Sequence, residues 1–205
     1  MSGNLSQSPS IPATYSGFCF QHNTGFFCLF IFSFFWCIIS IEFMKAFRFS
    51  KEFILLSFLF FFALFLRTYN LSSIPPGLHG DEASIGYNAY SLLKTAKDQN
   101  GNFLPIAIDQ FGDFRPAGYH YLDVPFVAVL GLNAWAVRLP AAIFGALCVL
   151  VFFYLLRELF ENKVIPWIGA VFLTISPWHL IISRASSESV IAAFFVLLHI
   201  RKYRT

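Results

Sequence analysis

Leu139 to Leu156, LPAAIFGALCVLVFFYLL, is an uninterrupted run of 18 uncharged residues, closed by Arg138 on one side and Arg157 on the other. As a helix it matches the roughly 30 Å hydrocarbon core of a bilayer. The surrounding composition argues against a core helix in a soluble domain. Apolar residues make up 57% and charged residues 12%, about half the charged share of a soluble domain. Phe occurs 28 times, which suits lipid-facing helices better than a close-packed soluble core. A net charge of +3 is too small to argue for nucleic acid, and the basic residues sit beside the apolar runs, as membrane topology requires. Cys19, Cys28, Cys37 and Cys148 form no CxxC pair and read as buried thiols.

Other apolar runs share this character. Phe53 to Leu66 is short for a span, but Lys51 and Arg67 can snorkel outward and lengthen it. Val164 to Ser183 is another, ended by Ser-Pro-Trp-His. Val190 to Ile200 is a further one, followed by Arg201, Lys202 and Arg204. Upstream, residues 1–24 are polar and without periodicity and read as disordered, and Gly25 to Ile41 is just long enough to span. Met44 opens a new pattern, MKAFRFSKEF. Residues 1–43 are thus a leader with an extra span, or a stretch upstream of a natural start at Met44. A signal peptide fits less well, because no small-residue cleavage site follows the apolar run.

Between Arg67 and Arg138 no long span is legible, and this stretch holds six of the eleven acidic residues. Ile74-Pro75-Pro76-Gly77 forbids a helix. Asp81 can then cap a helix from Glu82 to Ala96, with Ile85, Ala89, Leu92, Leu93 and Ala96 on one face. Such a helix suits the membrane surface. Gln99 to Asn102 is a turn, and Phe111 to Pro116, FGDFRP, is a second polar knot. Val124 to Val137 is apolar but short and reads as interfacial or re-entrant. The alternative is a full crossing.

The predicted fold class is all-α, a polytopic transmembrane protein with spans about 51–67, 139–157, 164–183 and 189–200 and a large external loop 68–138 carrying amphipathic interfacial helices. Lys45, Arg48 and Lys51 place the start of the span 51–67 inside. The positive charges at 157–163 and 201–204 then also fall inside, and Asp81, Glu82 and Glu188 share the external side.

A carboxylate at a helix N-terminus is stabilised by the backbone amides there, so Asp81 and Glu82 have a plain reading as a cap. Their position after a Pro-Pro-Gly turn at a membrane exit, with Glu188 brought to the same face, supports a chemical one. A carboxylate can accept the proton of an attacking hydroxyl, and Asp81 and Glu188 could share a divalent metal ion. Asp113 and Arg115 read as a surface ion pair or turn, or as an arginine that holds a phosphate. Arg184 poses the same choice. His79 and His120 are candidates for orienting substrate beside a structural role. His179 and His199 are expected to pack or hydrogen-bond.

The runs PPGLHGDEASIGYNAYSLL, FGDFRPAGYHYLDVPFVAVLGLNAWAVRLPAAIFGALCVLVFFYLLRELF and SPWHLIISRASSESV resemble the N-terminal part of membrane glycosyltransferases with the GT-C fold. More narrowly they are similar to the dolichyl-phosphate-mannose protein mannosyltransferase and aminoarabinose transferase group, over roughly residues 44–200. The resemblance implies a polyprenyl-phosphate-linked sugar donor and inversion at the sugar carbon. It implies a lipid, glycan or protein acceptor, and no nucleotide-sugar site. It gives Asp81 the role of general base with Glu82 beside it, and lets Arg115 hold the lipid phosphate, where similar sequences often carry lysine. It places the active face outside the plasma membrane. Members of the group carry many more spans, so the chain reads as an N-terminal module that could need C-terminal spans from elsewhere. A transporter or flippase fragment and an inactive membrane scaffold are the rival readings. A transporter should place its acids mid-span.

Overall fold

The structure is a computed structural model that describes residues 51–110 and 112–203. The expectations for residues 1–43 lie outside the described residues.

The organising element is the helix that grows from the 18-residue run. Asn133 starts it: its side chain accepts from the Ala136 amide at 2.9 Å and so satisfies one of the free amides of the first turn. The first two helices are α1 (Lys51–Thr68) and α2 (Gly80–Thr95). A β1–β2 hairpin (Ala107–Gln110, Asp113–Pro116) follows, then α3 (Gly118–Leu130) and the long central helix α4 (Ala134–Leu159). The chain continues through α5 (Val164–Ile175), α6 (Pro177–Arg184) and α7 (Glu188–Lys202). Helix α4 touches every other described helix. Leu56, Leu59 and Ala63 of α1 close on Ala146, Val149 and Phe153 of α4 and Ala170 of α5, with the Trp167 ring 4.6 Å from that of Phe153.

Helix α1 runs antiparallel to α4, helix α7 runs parallel to it, and ion pairs record both directions. Glu52 at the start of α1 meets Arg157 at the end of α4 at 3.2 Å, and Glu158 of α4 meets Arg201 at the end of α7 at 2.8 Å. The opposite end of the bundle therefore gathers Arg67, Arg138 and Glu188, beside the polar segment that leads into α2. Of the described helices, α4 is the straight one long and apolar enough to cross a membrane, and α5 with α6 qualifies as one bent span. Outward faces stay apolar: Phe58, Phe61, Phe172 and Trp178 are all exposed.

Several expectations need correction. The fold is not purely helical, because the FGDFRP knot is half of a two-stranded antiparallel hairpin that pairs Ile108 with Arg115 and Gln110 with Asp113. Gly112, at φ +86°, supplies the backbone conformation its turn requires. Val124 to Val137 is neither a crossing nor one helix, since Gly131 at φ +76° ends α3 and Asn133 starts α4. The run 164–183 is broken at Ser176, which Pro177 holds in an extended conformation, and α6 leaves α5 at 53°. Ser-Pro-Trp-His therefore begins a helix. Much of the apolar face of α2 packs on its neighbours, while Leu93 stays exposed. Ile85 packs on Tyr119, Val137 and Ala141, and Ala89 on Val127 and Ala136. Arg67 does not extend outward to lengthen its helix. It is fully buried, donating to the Ala63 carbonyl at 2.8 Å and meeting His179 Nδ1 at 2.8 Å. His179 thus hydrogen-bonds within the bundle, as expected.

The crossing of α1, α4 and α6 depends on Gly145. A Cβ there would lie 2.5 Å from Ser183 Cβ and 3.0 Å from Arg67 Nε. Gly145→Ala is expected to cost about 1–3 kcal/mol through overpacking and to lower the thermal midpoint of the detergent-solubilised chain. An unchanged midpoint would show that the three helices can separate freely.

Candidate active site

Helix α2 begins immediately after the Pro-Pro-Gly turn, and its first turn sorts the adjacent carboxylates into different environments. The cap is His79, not Asp81: His79 Nδ1 accepts from the Asp81 amide at 3.4 Å, and Glu82 Oε2 reaches back to the His79 amide at 3.1 Å. This reciprocal pair is a capping box, with histidine where serine or threonine is usual. One residue's rotation around the helix then turns Glu82 inward and leaves Asp81 outward.

Glu82 is buried and fully engaged. Oε1 accepts from Arg138 Nε at 3.0 Å and from the Ser186 amide at 3.1 Å, and Oε2 accepts from Arg138 Nη2 at 2.8 Å. Burial pushes its pKa up, but the hydrogen bonds from Arg138, then those from the His79 and Ser186 amides, outweigh that and hold it below the usual glutamate value. Arg138 is equally spent. Besides Glu82 it donates to the carbonyls of Leu71 and Pro75, each at 3.0 Å, and of Gly77. All five guanidinium N–H groups have acceptors.

Asp81 has a different setting. Its side chain is 37% exposed, and Oδ2 lies 3.1 Å from Arg115 Nη1. The hairpin places that arginine: Arg115 sits on β2, with Asp113 Oδ2 3.5 Å from its Nε. The Asp81 charge raises the Arg115 pKa further above its ordinary value. Gln110 on β1 donates from Nε2 to the Asp81 carbonyl at 3.1 Å, so the hairpin grips the start of α2 through both side chain and backbone. Glu188 begins α7, just before the apolar run 189–200, with Oε1 buried and without a protein partner. Burial pushes its pKa up, Arg115 pulls it down and the Asp81 carboxylate raises it again, for a net rise. The fold thus brings together Asp81, Arg115, Asp113 and Glu188, with His79 exposed at the edge and its Nδ1 4.0 Å from Asp81.

Two other candidates do not join this part-exposed cluster. Arg184 is occupied by the carbonyls of Leu66 and Tyr69, each at 2.8 Å, and of Ile74 at 3.0 Å. His120 is fully buried on α3, one turn from the equally buried Asp123. Among the described residues no three His, Cys, Asp or Glu side chains cluster as a metal site. The structure adds Arg138 and Gln110, which sequence reasoning passed over. Arg138 looked like the charged flank of a span, and the signal available was its place at the head of the longest apolar run, where a cation needs a partner.

His120 and Asp123 carry a pH signature. Burial, then the nearby Arg115, lowers the His120 pKa to about 4, while burial raises Asp123 to about 7. From pH 4 to 6.5 the unfolded chain binds a histidine proton that the folded chain refuses, so this term makes stability rise with pH. From pH 3.8 to 7 the folded chain keeps a carboxyl proton that the unfolded chain has lost, so this term makes stability fall with pH. Each slope is about 1.4 kcal/mol per pH unit and the two cancel over their common range. Relative to the parent, Asp123→Asn should therefore show stability rising from pH 4 to 6.5, and His120→Asn stability falling over the same window. Denaturant midpoints at a series of pH values check this, and parallel profiles for all three chains would refute it.

An apolar bundle that keeps its outward faces greasy and confines its interacting acids and guanidiniums to its two ends is a helical membrane protein, with the buried Glu82–Arg138 pair and the open Asp81–Arg115 pair at one of them. The family model for dolichyl-phosphate-mannose-protein mannosyltransferases matches residues 57–203, and the chain belongs to that family, a class of membrane glycosyltransferases. No curated protein and no solved structure matches the chain.

Proposed function

We propose that the protein transfers a sugar from a polyprenyl-phosphate donor to an acceptor hydroxyl on the extracytoplasmic face, with Asp81 as general base. Supporting this is the contrast between the neighbouring carboxylates. Glu82 has no lone pair left for substrate, whereas Asp81 is part-exposed at a helix mouth beside the Arg115 guanidinium. In the reaction, a carboxylate oxygen of Asp81 takes the hydroxyl proton while the hydroxyl oxygen attacks the anomeric carbon. The bond from that carbon to the phosphate oxygen breaks, and the polyprenyl phosphate leaves with the electron pair. Attack from the side opposite the phosphate inverts the sugar carbon.

Arg115 suits the phosphate because its planar fork matches phosphate oxygens. In the free chain it bridges Asp81 and Asp113. Donor phosphate competes for that guanidinium and frees Asp81 to act as a base. His79 and Glu188 flank the acceptor side, Glu82 positions α2, and Asp81 with Glu188 is where a divalent ion could bind. The multi-pass topology has its site end outside the plasma membrane. The ion pairs at the far end of the bundle support that arrangement, since they put the basic ends at 157–163 and 201–202 together and the carboxylates of the site at the other end. The test is transfer of labelled polyprenyl-phosphate sugars in membranes by the parent chain and by Asp81→Asn.

A further inference from the structure

The segment from Leu66 to His79 links the end of α1 to the start of α2. From Ser72 to His79 every residue is exposed, so side-chain burial does not hold it. Leu71 alone inserts, fully buried. Besides local turn bonds from the Leu71, Ser73 and Ile74 amides, the segment is held by the capture of its carbonyls by two guanidiniums from different helices, in interleaved order. Arg184 of α6 takes Leu66, Tyr69 and Ile74, and Arg138 of α4 takes Leu71, Pro75 and Gly77. Such bonds to a charged donor are stronger than neutral ones.

We infer that Arg184 is a positioning residue for Asp81, holding the segment that sets where α2 begins; this rests on the role proposed for Asp81 above. Helix α6 is built to deliver it. The break at Ser176–Pro177 turns α6 by 53° from α5. The Arg67–His179 contact at 2.8 Å ties α6 to α1, and Ser183 Oγ donates back to the His179 carbonyl at 2.6 Å. The Ser-Pro-Trp-His-x-x-x-Ser-Arg stretch is therefore one latch, with its proline setting direction, its histidine anchoring and its arginine closing on the segment. Arg184 acts through backbone and touches no reacting atom.

The experiment is hydrogen–deuterium exchange on the full chain in lipid nanodiscs, parent against Arg184→Gln and Arg184→Lys, with transfer kinetics on the same samples. Arg184→Gln should speed exchange of peptides covering 69–79 by roughly tenfold or more, with peptides of α4 unchanged. Arg184→Lys should fall between. In the transfer arm the loss should appear in kcat with donor KM held. Unchanged exchange over 69–79 in both variants would overturn the inference, as would a donor KM that rises while kcat stays, which marks substrate contact. Uniform acceleration across all peptides in Arg184→Lys as well as Arg184→Gln would make Arg184 a general fold residue and also overturn it. Full transfer by Asp81→Asn alongside local acceleration in Arg184→Gln would instead remove the role of Asp81 and leave the latch standing.

Discussion

Asp81→Asn is expected to cut sugar transfer by roughly 10²- to 10⁴-fold, the span by which a positioned general base accelerates proton transfer. The folded chain should survive. Asp81 is 37% exposed and its pair with Arg115 lies at the surface, where an ion pair contributes at most about 1 kcal/mol. The amide keeps the carboxylate's shape and its cap-adjacent position while losing the proton acceptor. A thermal midpoint close to the parent with transfer lost is the combined result to look for. Transfer equal to the parent would remove Asp81 from the chemistry. Arg115→Lys should be milder, because a lysine keeps the charge near the phosphate but not the planar fork.

The neighbouring residue should give the opposite phenotype. Glu82→Gln leaves Arg138 charged, buried and facing a neutral amide, and Arg138→Ala leaves Glu82 in the same position. Removing one partner of a buried pair costs roughly 3–5 kcal/mol. Here the pair also anchors Leu71, Pro75, Gly77 and Ser186, so the loss spreads to the segment before α2 and the loop before α7. Both variants should show a sharply lower unfolding midpoint in detergent and poor recovery from membranes, whatever substrate is present. A Glu82→Gln chain as stable as the parent would show that the buried pair is replaceable. Two adjacent acids, one lost to chemistry and one lost to folding, would separate the roles that their shared motif runs together.

Much of the helical framework is legible in the chain. The middle of α4 follows from the uncharged run, although the helix starts upstream of it at Ala134, and α2 follows from the Pro-Pro-Gly stop and its helical spacing. The break in the run 164–183 was less readable. Pro177 signals a boundary, but whether a proline starts a new helix or bends an old one depends on what receives the redirected segment, here Gly145 and the carbonyls at 66–74. The hairpin was missed because a four-residue strand has almost no periodicity of its own, and it is held by docking Ile108 and Gln110 rather than by propensity.

Sequence alone determined that the chain is a membrane protein, because an uncharged stretch of bilayer length admits few other solvents. It also determined that acids and arginines cluster at the helix ends, because charge is excluded from the runs between. Only the tertiary structure decided which acid faces which arginine. Arg138 reaches Glu82 across 56 positions and Arg115 reaches Asp81 across 34, and no local spacing rule spans such separations. Those pairings arise from the crossing of α2 with α4 and the docking of the hairpin. The burial that follows makes one carboxylate a structural tie and leaves its neighbour open to solvent.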